Sequence, residues 1–504
     1  MFERIKKILL KNPILFFSIY FLFSLKPKIE FFVPSIVVFY KYFHYGLMLW
    51  GISLLLYNFK YMLDFFKERK YIVLVAFFGA VIATILYNIQ YISGESIKTS
   101  VLTIFVMLIF LPAYQLLAKY QSESDIFKKI FYPSFIFKFF ISLSSLIMYL
   151  LNISIFVIGE NSTLYYAGVR YVELESKQFT LLLYGLYSDP NYAAVYSLTF
   201  LFLGLFLWNK IGLKTKFEKF FFSIFMLLEL SVLSLSNSRG AELAFYVSIL
   251  FYFVLLLFKL IFKKEQSSIT KKLMIKVAGL GVTFLVLTQF FKFASFTILE
   301  QNNPTKILII NESNTFLRLN DTSEKEILKQ YVDNVNEISL NLSQIKENTS
   351  LSKQDSSTEF GNGRFTIWLD AIELTTKSPF FGFGPAMQKN AATRFDDLEI
   401  PEMIAGRAFH NSFVHLFFSF GAVGFLTLAI WFIKEYIRLS NSIIKKSTEM
   451  DFIFLGTIAL IVASAFLDSI FVNNDYQQMY LYFMLGYLLF QNGNIERKLE
   501  LTTH

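Results

Sequence analysis

The sequence predicts an all-α, polytopic integral membrane protein of about 12 transmembrane helices with a large, partly helical extracytoplasmic loop. Three observations lead there. Hydrophobic residues make up 55% of the 504-residue chain, with 62 Phe and a mean hydropathy of +0.50, whereas a soluble domain averages about 45–50% apolar residues. Those residues come in long runs, and a run of roughly 20 is what a helix needs to cross a bilayer. The net charge of +9 is sorted between alternate connections instead of forming one patch. It is therefore a topology signal, and no nucleic-acid partner is expected.

Apolar blocks bounded by charge runs place spans near 9–25, 42–58, 71–89, 99–117, 131–158, 190–208, 220–236, 241–258, 275–291, 409–432, 452–470 and 477–491. The block 31–40 is short and interrupted by Pro34, and reads as a re-entrant or interfacial piece. No small-residue cleavage site follows the first segment, so it is expected to be an anchor and not a removed signal peptide. The chain divides into N-terminal membrane helices at 1–291 (about nine spans), an extracytoplasmic loop at 292–408, C-terminal membrane helices at 409–491 (about three spans) and a cytoplasmic tail at 492–504.

Lys and Arg total 27 in 1–11, 59–70, 118–130, 209–219, 259–276, 433–450 and the tail, against seven in 26–41, 90–98, 159–189, Arg239 and 471–476. By the positive-inside rule both termini are expected in the cytoplasm, with 159–189, the turn Asn237–Gly240, 292–408 and His410 outside. Reporter fusions at Lys216 and Ser350 are expected to give opposite compartment signals. Matching signals would overturn this orientation.

The outside placement constrains the chemistry. ATP and nucleotide sugars are not supplied there, and no phosphate-cradling glycine loop of the Walker or dinucleotide type is present. A reaction at this face is expected to use a substrate activated before it crossed the membrane, with no cofactor. Absent cysteine removes thiol nucleophiles, disulfides and zinc–thiolate sites. Within 292–408, apolar residues recur at helical spacing from Thr322 to Ile345, predicting an amphipathic helix. Glu347–Ser357 reads as loop, and a second helix is expected from Arg364 to Lys377, closed by Ser378-Pro379.

The most informative stretch is AGRAFHNSFVHLFFSFGAVGFLTLAI, from Ala405 to Ile430. It places Arg407, His410 and Asn411 at the mouth of a glycine-punctuated apolar segment. The chain has four histidines, and histidine is the side chain whose ordinary titration lies near neutral pH. His410 is thus the candidate proton-transfer group, while His415, five residues on, reads as packing. Arg239, in SNSRGAEL, is either a turn residue reaching to water or a phosphate ligand, for which its planar donor fork is suited. Glu242, three residues on, is a possible partner for it. Arg364, in GNGRFTIW, follows two glycines that let backbone approach a ligand, and Trp368 one turn on could stack on a sugar. Asp189-Pro190-Asn191 reads as a helix start, with contact to a sugar or an arginine as the alternative. Glu229, inside a span, should face protein or a cavity.

Taken in order, these features resemble a known family. They are an Asp-Pro-Asn at a span start, Arg239 with Leu243 four residues on, GNGRFTIWLDAIELTTKSPFFGFG, and His410-Asn411 followed by Gly421 and Gly424. The chain resembles the O-antigen ligase and polysaccharide polymerase superfamily of bacterial polytopic membrane proteins. The topology match covers the whole chain and is specific from about Ser234 to Gly424, with the His-Asn run closest to the ligase branch. The resemblance implies a metal-independent, inverting glycosyltransferase in the bacterial inner membrane. It would move a glycan from undecaprenyl diphosphate to lipid A core or another glycan acceptor. His410, Arg239 and Arg364 would be its catalytic residues, and Arg407, Asn411, Asp189, Asn191 and Trp368 would bind substrate. A polymerase of the same superfamily is the alternative, and a non-catalytic transporter of lipid-linked glycan is the third.

Overall fold

The computed structural model describes residues 13–25, 34–68, 72–158, 164–173, 179–187, 189–213, 215–262, 267–300, 306–310, 316–318, 364–394, 409–446, 449–466, 471 and 476–502. The expected 322–345 helix, the 347–357 loop and Arg407 lie outside these residues. Helices α1 (Pro13–Ser24), α2 (Pro34–Tyr57), α3 (Phe59–Glu68), α4 (Ile72–Tyr87), α5 (Gly94–Phe110), α6 (Ala113–Leu117) and α7 (Glu123–Leu150) come first. Strands β1 (Ile153–Ile158), β2 (Leu164–Glu173) and β3 (Phe179–Gly185) follow, then α8 (Pro190–Phe206), α9 (Lys216–Leu235), α10 (Arg239–Phe262) and α11 (Ser267–Glu300). After β4 (Lys306–Ile310) and β5 (Phe316–Arg318) the chain ends with α12 (Arg364–Thr375), α13 (Gln388–Arg394), α14 (Ser412–Lys446), α15 (Phe452–Ala463) and α16 (Tyr476–Thr502).

Helix starts follow local chemistry. Ser93, Ser122, Thr215 and Asp451 each accept a hydrogen bond from a backbone N–H three residues on, and Thr215 with Glu218 closes a reciprocal capping box. Pro34 stands at the first position of α2, where its missing N–H costs no intrahelical bond. The 31–40 block is therefore not a separate re-entrant piece from Pro34 onward, but the first turns of a continuous helix.

By length and composition, six described helices are apolar enough to cross a membrane, and three shorter apolar helices accompany them. This makes the chain a multi-pass membrane protein, with six full-length candidate spans among the described residues. Pro13–Ser24, one of the shorter helices, has 12 residues, about 18 Å at the usual helical rise and short of a hydrocarbon core. The bundle interior explains the phenylalanine content. Phe110 meets Phe17, Tyr20 and Phe21 edge-to-face at 5.4–5.5 Å, and Phe483 packs on Phe17, Phe21 and Phe131 beside them. Where lipid tails are as apolar as the helix faces, such shape-specific contacts supply the attraction between helices.

The fold departs from the all-α expectation in one place. A five-stranded sheet in the order β3-β2-β1-β4-β5 caps one end of the bundle, antiparallel except for the β1–β4 pair. The expected 131–158 span accordingly stops at Leu150, and its last apolar residues form β1. The sheet is pinned to α7 through Ser145, whose hydroxyl accepts from Leu186 N at 3.2 Å.

Inside the bundle, Lys138 on α7 lies 2.9 Å from Glu229 on α9, and both side chains are fully buried. Lys138 donates to Ser142 at 2.8 Å and to Ser197 of α8 at 3.3 Å, and Ser142 donates to Glu229 at 2.7 Å. The Lys138 ammonium also stands 5.2 Å from the Tyr187 ring centre. Three helices are thus tied at one polar point, as a charge at membrane depth requires.

Helix α14 is broken at Gly421, which adopts φ 61°, ψ −168°. The segment 379–384 is spliced into the gap. Ala422 N donates to Pro379 O at 2.7 Å and Val423 N to Phe380 O at 3.1 Å, while Phe418 O and Ser419 O accept from Phe383 N and Gly384 N at 3.0 and 2.8 Å. Those four groups would pair with one another in an unbroken helix, and the inserted segment satisfies each of them instead. Gly421 is required twice over, by its positive φ and because a Cβ there would sit 2.4 Å from the Phe380 carbonyl. The Phe417 and Phe425 rings approach to 5.9 Å, and Phe413 and Phe432 both pack on Phe471. In a straight helix residues eight apart are about 12 Å distant along the axis, so the two halves bend toward each other. The portion after Gly421 is long enough to cross a bilayer by itself, at roughly 20 residues required.

Candidate active site

His410 sits immediately before the cap of α14, at φ 50°. This left-handed conformation is uncommon outside glycine, and histidine is among the residues enriched there. Asn411 is the cap: its Oδ1 accepts from Phe413 N at 2.9 Å and from Val414 N at 3.2 Å. The carbonyl oxygen thus satisfies two of the helix's first N–H groups. His410 is partly exposed and Asn411 buried.

The segment before His410 is clamped by α12. Trp368 Nε1 donates to Phe409 O at 2.8 Å, so the indole N–H holds the His410 turn and is not available to a sugar. Ile367, Ala371 and Leu374 of α12 form a small core with Phe383, Phe409 and Phe418. His415 is buried, its ring 5.9 Å from that of Phe409, in keeping with a packing role. Arg364 is the first residue of α12. Asp370, on the same helix, has its carboxyl pushed above the usual range by partial burial and then by neighbouring Glu373. Its position within helix α12 gave the sequence reading no signal for it.

A second group of candidates meets at the α9–α10 turn. Asp189 caps α8, its Oδ1 accepting from Asn191 N at 2.6 Å with Pro190 at the first helical position. Asn191 Oδ1 accepts from Ser238 Oγ at 2.7 Å, which brings Asp189-Pro190-Asn191 against the residue before Arg239. The sequence reading missed Ser238, because the bond joins positions 47 residues apart. Arg239 opens α10 and is exposed. Glu242 does not pair with it: the carboxylate is held by Lys292 of α11 at 2.6 Å. Among the described residues the Arg239 guanidinium has no hydrogen-bond or ion-pair partner.

Both groups flank α14, which packs on α10 and on the short turn 464–466 after α15. Gly240, beside Arg239, is in close approach to Phe466 of that turn. Among the described residues no group of three or more His, Asp or Glu is arranged to hold a metal ion.

The fold and site define a multi-pass helical membrane protein with a partly exposed histidine before α14 and an exposed arginine at the start of α10. Residues 221–429, which contain Arg239, Arg364 and His410, match the family model described as O-Antigen ligase, so this region is similar to that family. No curated protein matches the chain.

Proposed function

We propose that the protein transfers a glycan from a polyprenyl diphosphate to an acceptor hydroxyl at the outer face of a bacterial inner membrane, as a ligase. The family match supports a ligase- or polymerase-like glycan transferase with lipid-linked and acceptor substrates. The observation that carries the finer reading is the Arg239 guanidinium, exposed and unpartnered among the described residues at the positive N-terminal end of α10. A planar donor fork in that position suits a diphosphate whose charge grows as the sugar–phosphate bond breaks. Arg364, in the same family region, is the second proposed cation. His410 takes the proton from the acceptor hydroxyl, the oxygen attacks the anomeric carbon, and the diphosphate departs from the opposite face with the bonding electrons. The anomeric centre is inverted, and the departing polyprenyl diphosphate stays in the bilayer.

The test is transfer by purified protein in lipid nanodiscs, supplied with a polyprenyl-diphosphate glycan and candidate acceptors. Arg239→Lys is expected to impair turnover nearly as much as Arg239→Ala, since it keeps the charge and loses the fork. Lys292→Ala should also raise the donor KM, because the released Glu242 lies three residues from Arg239 on the helix and can occupy it. Adding Glu242→Gln to Lys292→Ala should restore the KM. Full activity of Arg239→Ala protein in the membrane would exclude the phosphate role, and no recovery in the double variant would exclude the role of Lys292.

A further inference from the structure

Helix α12 carries apolar residues on two opposite faces. Ile367, Ala371 and Leu374, spaced i, i+4, i+7, pack into the small core with Phe409 and Phe418. Phe365, Leu369 and Ile372 repeat that spacing on the other side of the helix, and there they are exposed, Leu369 to 66%. Phe380, just past the helix, is exposed to the same extent. Thr366, Asp370 and Glu373 share the edge between the two faces. A helix that packs in water on one face only would turn polar residues outward opposite that face. An outward row of Phe, Leu and Ile marks a surface that meets a second apolar phase.

The depth of this surface follows from α4. Residues 71–94, between Lys70 and Glu95, carry no charged side chain. From Ile72 to Thr84 and Asn88 is about 18–24 Å at the helical rise, which reaches the far part of a hydrocarbon core roughly 30 Å thick. There Thr84 Oγ1 donates to Phe381 O at 2.6 Å and Asn88 Nδ2 to Gly382 O at 3.0 Å. The same segment is spliced to Phe418 and Ser419, and Phe409, held by Trp368, lies outward of them along the chain. Helix α12 therefore stands on the outward side of the splice, where hydrocarbon gives way to headgroups. The exposed side of α4 leads to it without a break in character. Leu86, Tyr87 and Ile89 are exposed, and the Tyr87 ring lies 5.6 Å from that of Phe381. Phe365 and Trp368, their rings 5.0 Å apart, add aromatic groups of the kind gathered at membrane interfaces.

We propose that Phe365, Leu369, Ile372 and Phe380 form a lipid-binding surface that seats α12 in the outer leaflet, among the acyl chains next to the headgroups. Through the Trp368–Phe409 hydrogen bond the seated helix holds the His410 turn at a fixed height over the lipid. That consequence rests on the transferase reading above, in which the donor is anchored in the same leaflet.

The chain has no cysteine, so single spin labels can be placed without background. Labels at Leu369→Cys, Ile372→Cys and Glu373→Cys are compared with Leu86→Cys on α4 as the lipid-facing reference, in full-length protein in nanodiscs. Each is read by its collisions with oxygen, which concentrates in lipid, and with a water-soluble nickel chelate. The labels at Leu369 and Ile372 are expected to match the Leu86 reference, open to oxygen and shielded from nickel. The label at Glu373 is expected to show the reverse order. Equal nickel access at all three α12 positions would make the stripe a wall of an aqueous cleft. Shielding of Leu369 and Ile372 from both reagents would make it a contact with protein, and either result overturns the lipid surface. Collision rates need no turnover, so the two readings fail separately. Lipid access at Leu369 and Ile372 in a protein without transfer activity leaves the surface standing without its bearing on His410, and normal transfer with nickel access there removes the surface alone.

Discussion

His410→Ala is expected to lower transfer by roughly 10²–10⁴-fold, the span of general acid–base catalysis, equivalent to about 2.7–5.5 kcal/mol of barrier. With no cysteine in the chain, and with lysine and arginine poor bases at neutral pH unless desolvated, the proton acceptor should be this histidine or a carboxylate. The left-handed backbone at His410 complicates the alanine variant, because a non-glycine residue there costs about 1–2 kcal/mol. His410→Asn removes that ambiguity, since asparagine tolerates the conformation but is no base. Both variants should reach the membrane and bind donor. His415→Ala, which trims a buried ring packed on Phe409, should cost far less turnover. Abolished transfer in His415→Ala together with normal transfer in His410→Asn would reverse the assignment, and Asp189 and Asp370 would be the carboxylates to test next.

The next largest effect is expected from the buried ion pair. Lys138→Met or Glu229→Leu alone should destabilise the protein by about 3–5 kcal/mol, because each leaves the opposite charge buried without its counter-ion. The double variant should recover most of that loss, since an apolar pair of similar volume has no charge to desolvate. Thermal unfolding in detergent across the four proteins reads the coupling directly. Single variants as stable as the wild type would show that the pair is not the tie between α7 and α9. A double variant no better than the singles would place the loss in the serine and tyrosine contacts around it.

The legible parts of this fold are those in which neighbouring residues decide. Helix starts at Ser93, Ser122, Thr215 and Asp451 carry their caps in the sequence, and α12 begins at the expected Arg364 and ends at Thr375, just before Ser378-Pro379. The sheet was hidden because ISIFVI is a short apolar run, and periodicity does not separate such a strand from the tail of a helix. Its parallel partner, β4, lies about 150 residues further on. At the site, His410 and Arg239 stood out as residue types beside glycines. What holds them did not: Ser238 with Asn191, Lys292 with Glu242, and Trp368 with Phe409 are all long-range pairs. Glu229 was expected to face protein or a cavity, yet nothing near it in the chain names Lys138 as its partner.

The spliced break in α14 has a bearing on how such a chain can be rebuilt. The first half of the helix is held through the main-chain atoms of 379–384 and by the α12 clamp on Phe409. A single residue inserted between Pro379 and Gly384 would throw the splice out of step and displace the half-helix that His410 precedes. Chimeras should therefore take 379–384 and α14 from the same parent.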